Sequence, residues 1–135
     1  MIDEETQEIF RQETEALIES LQECLLQLNS TPEDMELVTQ VFRDLHTLKG
    51  TGAMFGFARL AEFIHDFEAA FEAVRSGHAE VTPDLIAVSL KAYDLIVALL
   101  EGEEPETSLD AELKAALAAA TSGDAAPATA AADGD

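Results

Sequence analysis

Residues Phe57 to Gly77 read FARLAEFIHDFEAAFEAVRSG. Within this stretch Leu60, Phe63, Ile64, Phe67, Phe71 and Val74 recur at steps of three and four, the spacing that lines one face of an α-helix and not of a strand. Phe57 to Ser76 therefore reads as a helix with a broad apolar stripe, and Gly77 stands where a left-handed residue closes helices. A stripe this wide has to be covered by other helices.

The same rhythm continues on both sides. Upstream, Phe10, Thr14, Leu17, Leu21, Cys24 and Leu28 mark a helix from about Asp3 to Asn29. Thr31-Pro32-Glu33 places a capping residue before a proline at the first helical position, which starts a second helix there. Val38, Val41, Leu45, Leu48 and Gly52 form its inner stripe, and the small residues Gly50 to Ala53 lead to a break near Gly56. Downstream, Thr82-Pro83 repeats the capping signal, and Leu85, Val88, Ala92, Leu95 and Leu99 face inward on a fourth helix. Glu101 to Thr107 is a polar linker, after which Ser108 caps a short helix carrying Leu109, Leu113 and Leu117.

The fold class is thus all-α. An antiparallel four-helix bundle occupies residues 1–102 and a linker with a short fifth helix occupies 103–120. The tail over 121–135, TSGDAAPATAAADGD, has no large apolar residue; disorder is expected there, as at the start of an interdomain linker in a longer protein.

Seven basic against twenty-eight acidic residues leave a net charge of −21, which repels nucleic acid and anionic membrane surfaces and points to proteins as partners. Cys24 is the one cysteine, so it has no partner for an internal disulfide and fits a buried small hydrophobe. The segment MIDEETQEIF lacks the parts of a signal peptide, and no apolar run approaches the ~20 residues of a membrane span. A soluble, cytoplasmic, monomeric domain is expected.

On the second helix, at about 100° per residue, His46 lies about 130° from the centre of the apolar stripe and should face solvent. Arg43 and Lys49 sit three residues either side of it, close enough to share its face. Gly50, one turn on, leaves the imidazole uncrowded; glycine there costs about 1 kcal/mol relative to alanine, and access for a bulky partner is one gain that offsets it. Most exposed histidines on helices do nothing. On the third helix, however, Glu68 lies at the flank of the stripe with His65 three residues earlier. If the two helices are neighbours, Glu68 can accept a hydrogen bond from Nδ1 of His46. That would fix the tautomer and leave the Nε2 lone pair outward, through a charge-assisted bond worth about 1.5–3 kcal/mol.

The string HTLKGTGAMFGF, His46 to Phe57, resembles the phosphorylation motif of histidine phosphotransfer (HPt) domains, in the version found in chemotaxis sensor kinases. LAEFIHDFEAAFEAVRSG, Leu60 to Gly77, resembles the family's second signature, a His-x-x-Glu followed by an Arg and a Gly that end the helix. The resemblance implies that His46 is phosphorylated at Nε2, that Lys49 assists the phosphoryl group, and that Glu68 and His65 belong to the hydrogen-bond network around it. It also matches Gly50 to the glycine that gives partners access. Thr51 and Met54 depart from the usual pattern, which bears on the local surface and on partner preference.

With no Gly-rich ATP loop, no Walker motif and no recognisable magnesium site in the sequence, the domain is expected to carry no cofactor of its own. The resemblance implies a separate histidine kinase ATP-binding domain that uses ATP and Mg²⁺, and a CheY-type response regulator whose aspartate takes the group in an acidic Mg²⁺ pocket. Phe42, Arg43, Thr47, Lys49 and Ala53 surround His46 and are the candidates for docking.

Two other readings compete. Glu62 and His65 form one Glu-x-x-His unit of the kind that holds di-iron centres, but that chemistry needs two, and Arg43 and Arg75 stand three residues before His46 and His78. A purely structural or protein-binding bundle is the second, set against the joint presence of His46, Lys49, Gly50 and Glu68; within the resemblance, an HPt domain of a non-chemotactic multistep phosphorelay is the alternative.

Overall fold

In the computed structural model, which describes residues 3–122, five helices and no strands are present. Asp3 opens α1 (Glu4–Ser30) by accepting the N–H of Thr6 at 2.8 Å, and that pairing holds its carboxyl below the ordinary pKa. The α2 helix (Met35–Met54) is opened by Asp34, whose carboxylate accepts the N–H groups of Glu36 and Leu37 at 3.0 and 3.4 Å. The second helix thus starts at Asp34 and not at Thr31. Thr31 closes α1 instead, its N–H and hydroxyl both donating to the Gln27 carbonyl at 2.9 and 3.0 Å. Turned back in this way, its side chain is not available to cap forward.

The α3 helix (Ala58–Arg75) closes on Gly77, at φ +88°. There the N–H of His78 donates to the Ala73 carbonyl at 2.8 Å and that of Gly77 to Val74 at 3.1 Å, a left-handed closure that a side chain at Gly77 would strain. The α4 helix (Pro83–Leu100) begins as the sequence predicts, with the Thr82 hydroxyl accepting the Leu85 N–H at 3.1 Å. Its buried face is broader than the predicted stripe: Ile86, Ser89, Tyr93 and Ile96 are buried, whereas Val88 is half-buried.

Four helices pack around one core. The largest interface joins α2 to α3, α1 lies against α2, and α4 closes the ring against α1 and α3. Phe10, near the start of α1, meets Phe55 at a tilt and stacks on Phe57 beyond the end of α2, with ring centroids 4.6 and 5.0 Å apart, so these two helices run antiparallel. Leu21, Leu25, Leu45, Leu48, Ile64, Phe67, Phe71 and Leu85 are fully buried, each contributing roughly 1.5–3 kcal/mol of transfer free energy.

The α5 helix (Thr107–Ala120) has its N-cap at Glu106, two residues before Ser108, with no side-chain cap. It shares the bundle's core through Leu113 and Leu117, the latter 1% exposed, and packs on α3 and α4. Arg59 forks onto Asp110 at 2.7 and 3.0 Å, and Lys114 reaches Asp66 at 3.9 Å, so α5 runs parallel to α3. Most of the tail expected to be disordered, residues 123–135, lies outside the described residues. Among the described residues, no helix is long and apolar enough to cross a membrane.

Candidate functional site

Leu45 and Leu48 are fully buried on α2. Their helical geometry turns the residue between them and the next turn outward, and the His46 side chain is 65% exposed. Across the α2–α3 interface, Phe67 is fully buried and Glu68 follows it at the seam, its side chain 9% exposed. Glu68 Oε2 lies 2.7 Å from His46 Nδ1, and Oε1 lies 2.6 Å from Lys49 Nζ. One carboxylate therefore spans two residues of the same α2 face.

Burial pushes the Glu68 carboxyl up, but the hydrogen bonds from Lys49 and His46, and then their charges, outweigh it and hold it below the ordinary carboxylate range. An ionised carboxylate only accepts, so the proton on the short contact belongs to Nδ1 of the imidazole. In the neutral ring Nε2 then carries the lone pair, and it is the nitrogen away from Glu68. The arrangement is an imidazole held at one edge and open to a reacting atom at the other.

Gly50 has open space around it, where an added Cβ would meet nothing within 4 Å. No contact among the described residues needs glycine there. Gly52 is different: its Cβ would lie 3.1 Å from Leu60 Cδ2, so it lets α2 approach α3. Arg43, Thr47 and Ala53 are exposed around His46. Phe42, another docking candidate, is half-buried, with its ring near-parallel to the imidazole at 13° and 6.3 Å between centroids. The Arg75 guanidinium sits 4.3 Å from the centre of the Phe42 ring. Three of the seven cations, Arg43, Lys49 and Arg75, are thereby placed on or next to the His46 face.

His65 is not brought into this network. It is exposed and forms no hydrogen bond to His46 or Glu68, because three residues of helix rotate it out of the seam that Glu68 occupies. His78 pairs with the Ser76 hydroxyl at 2.7 Å beyond the end of α3. Among the described residues, no group of three or more His, Cys, Asp or Glu is placed to hold a metal ion.

A second buried carboxylate escaped the sequence reading. Asp44, 3% exposed, accepts from Ser20 Oγ on α1 at 2.6 Å and from Gln40 Nε2 at 2.9 Å. Its place beside Leu45 was the available signal, since a residue next to the stripe on a helix covered from two sides is drawn in. Cys24 lies in the same seam, where burial, then the Asp44 charge, pushes its thiol up.

Comparison with known proteins places these features in context. The model of the Hpt domain family matches residues 5–123. The chemotaxis protein CheA of Rhizobium meliloti is 39% identical over 95 residues, covering 70% of this chain and 12% of its own length. CheA of Bacillus subtilis is 34% identical over 94 residues, covering 70% of this chain and 14% of its own. Among solved structures, the CheA phosphotransferase domain from Thermotoga maritima aligns with a TM-score of 0.69 at 34% identity, over 73% of this chain and 93% of that domain. A histidine phosphotransfer domain of CheA, solved in solution, aligns with a TM-score of 0.79 at 30% identity, over 93% of this chain and 98% of that domain. The chain spans about an eighth of the length of these curated relatives.

Proposed function

The chain belongs to the Hpt domain family, of the type found in CheA chemotaxis proteins, and on that premise we propose that His46 carries a phosphoryl group from a kinase to a response regulator. The observation that carries this reading is the 2.7 Å contact between His46 Nδ1 and the buried Glu68 carboxylate, which leaves Nε2 as the nucleophile. In the first step the Nε2 lone pair forms the N–P bond while the bond from the γ-phosphorus of ATP to ADP breaks, on a separate histidine kinase ATP-binding domain that holds the Mg²⁺. The proton on Nδ1 stays toward Glu68, whose carboxylate stabilises the imidazolium that develops. In the second step an aspartate of a CheY-type regulator, with its own Mg²⁺, takes the group and Nε2 regains its lone pair.

Phosphoryl transfer asks mainly for in-line positioning and charge stabilisation. Lys49 has three N–H donors, of which Glu68 occupies one at 2.6 Å, leaving donors for the phosphoryl oxygens. Gly50 opens the approach, and Arg43, Thr47 and Ala53 form the exposed docking surface. The domain itself acts as carrier, with both metal sites on its partners.

Incubation with a CheA-type kinase catalytic domain and labelled ATP tests the reading. The chain should acquire an acid-labile, base-stable phosphate that His46→Gln abolishes and that added regulator removes. Label persisting in His46→Gln would sink the assignment; absence of label from the parent would favour a bundle that only binds proteins.

A further inference from the structure

Glu68 touches the imidazole at a single atom. A ring that is 65% exposed and held only at Nδ1 can still pivot about that contact and swing Nε2 away from a reacting phosphorus. In-line transfer tolerates little of that motion. A second contact on the ring would limit that motion, and an aromatic neighbour lies within reach of it.

Phe42 lies one helical turn before His46 on α2, and its ring is tilted only 13° from the imidazole plane at a centroid separation of 6.3 Å, within the range of interacting aromatic rings. Phe42 is itself half-buried and would be free to change rotamer were it not covered. Its cover comes from the last turn of α3, where the Arg75 guanidinium stands 4.3 Å over the ring and is steadied by Glu72 at 3.2 Å. The closure of α3 on Gly77 fixes where that last turn ends. We infer that Phe42, braced by Arg75, is a positioning residue for phosphoryl transfer, holding the face of the His46 imidazole while Glu68 holds its edge. This rests on the reading of His46 as the phosphorylated residue.

The consequence is that Phe42 acts through His46 and not through the partner. Its loss should slow transfer equally from a large donor and a small one, whereas loss of a docking contact should matter only to the large donor. Phe42→Leu keeps the apolar volume and removes the aromatic face; Arg75→Met keeps the length and removes the charge over the ring.

The experiment compares parent, Phe42→Leu, Arg75→Met and Arg75→Lys with two donors, phosphoramidate and the kinase catalytic domain with ATP. Nitrogen-15 NMR of the His46 ring is recorded alongside, for tautomer and side-chain torsion. Phe42→Leu and Arg75→Met should lower the rate about two- to tenfold with both donors, leave KM for the kinase domain unchanged, and broaden the torsional distribution of the ring. Arg75→Lys, which retains a cation over Phe42, should recover part of the rate. Unchanged phosphoramidate rates with unchanged ring signals would overturn the proposal, and so would a rise in KM for the kinase domain alone. Should the parent accept phosphate from neither donor, the reading of His46 as a phosphocarrier fails. The NMR arm still decides whether Phe42 and Arg75 hold the ring. Thermal melts identify a variant that has lost its fold, in which case the other substitution carries the comparison.

Discussion

Two buried carboxylates of this molecule sit on opposite seams of the same helix. Asp44, between α1 and α2, accepts from Ser20 and Gln40, both neutral and both half-buried. Glu68, between α3 and α2, accepts from Lys49 and His46, and His46 extends into solvent. Burial alone does not separate them, at 3% and 7% exposure. What separates them is where the partners lead. Asp44 returns its hydrogen bonds to the fold and pins the α1–α2 register. Glu68 delivers its charge to a ring that another protein can reach.

Breaking each side in turn sharpens the contrast. The largest effect is expected from Glu68→Gln, which removes the charged acceptor but keeps its shape. The phosphorylation rate should fall about tenfold or more, the equivalent of a charge-assisted bond of about 1.5–3 kcal/mol. The midpoint of unfolding should move little, because both partners can turn to water. A rate equal to the parent's in a quenched time course would reduce Glu68 to a packing residue.

Asp44→Ala should show the reverse pattern. Stability should drop by about 1–3 kcal/mol in urea melts, as Ser20 and Gln40 lose their acceptor inside a seam, while the phosphorylation rate holds. A rate loss matching that of Glu68→Gln would erase the distinction between the two seams.

Acid offers a smaller test. A carboxyl held below its ordinary pKa in the fold contributes stability that is complete above the ordinary range, near about 4.3, and that fades as pH falls through the depressed value. Whatever stability the parent holds over Glu68→Gln at pH 6 should therefore diminish below about pH 4, as paired thermal melts would show. A gap that widens on acidification contradicts the direction given for Glu68.

The smallest effect belongs to Lys114→Ala. Its partner Asp66 is half-buried at 3.9 Å but the lysine is 64% exposed, so water screens the pair from the cation's side. A stability change under about 0.5 kcal/mol is expected in the same urea melts. A larger loss would mean that charge outweighs burial in setting these pairs apart.

The helices were legible because their stripes are long and their steps unambiguous. Thr82-Pro83 and Gly77 mark boundaries in the sequence and do so in the structure. Thr31 does not cap α2 because a threonine can bond backward to Gln27 as readily as forward, and Asp34, a stronger N-cap residue three positions on, takes the cap. The pairing of Glu68 with His46 could be anticipated from residue type and helix flank. Its burial and the second bond to Lys49 could not, since both depend on how closely α2 and α3 approach at Gly52. His65 shows the opposite case: a place in a motif is not a place in the network, and the roughly 60° by which three residues fall short of a full turn carries it to solvent. Phe42 under Arg75 has no sequence signal at all, because it joins the middle of one helix to the end of another through rotamers.

The clustering of Arg43, Lys49 and Arg75 near His46 has a consequence for encounter. A body of net charge −21 repels an acidic partner as a whole, yet three of its seven cations stand near His46, two of them paired with Glu68 and Glu72, and they weaken the negative field on that side. Repulsion and torque then act together: an approaching acidic domain is slowed, and the pair turns until the His46 face leads. Adding salt shortens the reach of both, from about 30 Å at 0.01 M to about 8 Å at 0.15 M. The association rate would thus gain from weaker repulsion and lose from poorer alignment, and its ionic-strength dependence reports which of the two governs the meeting.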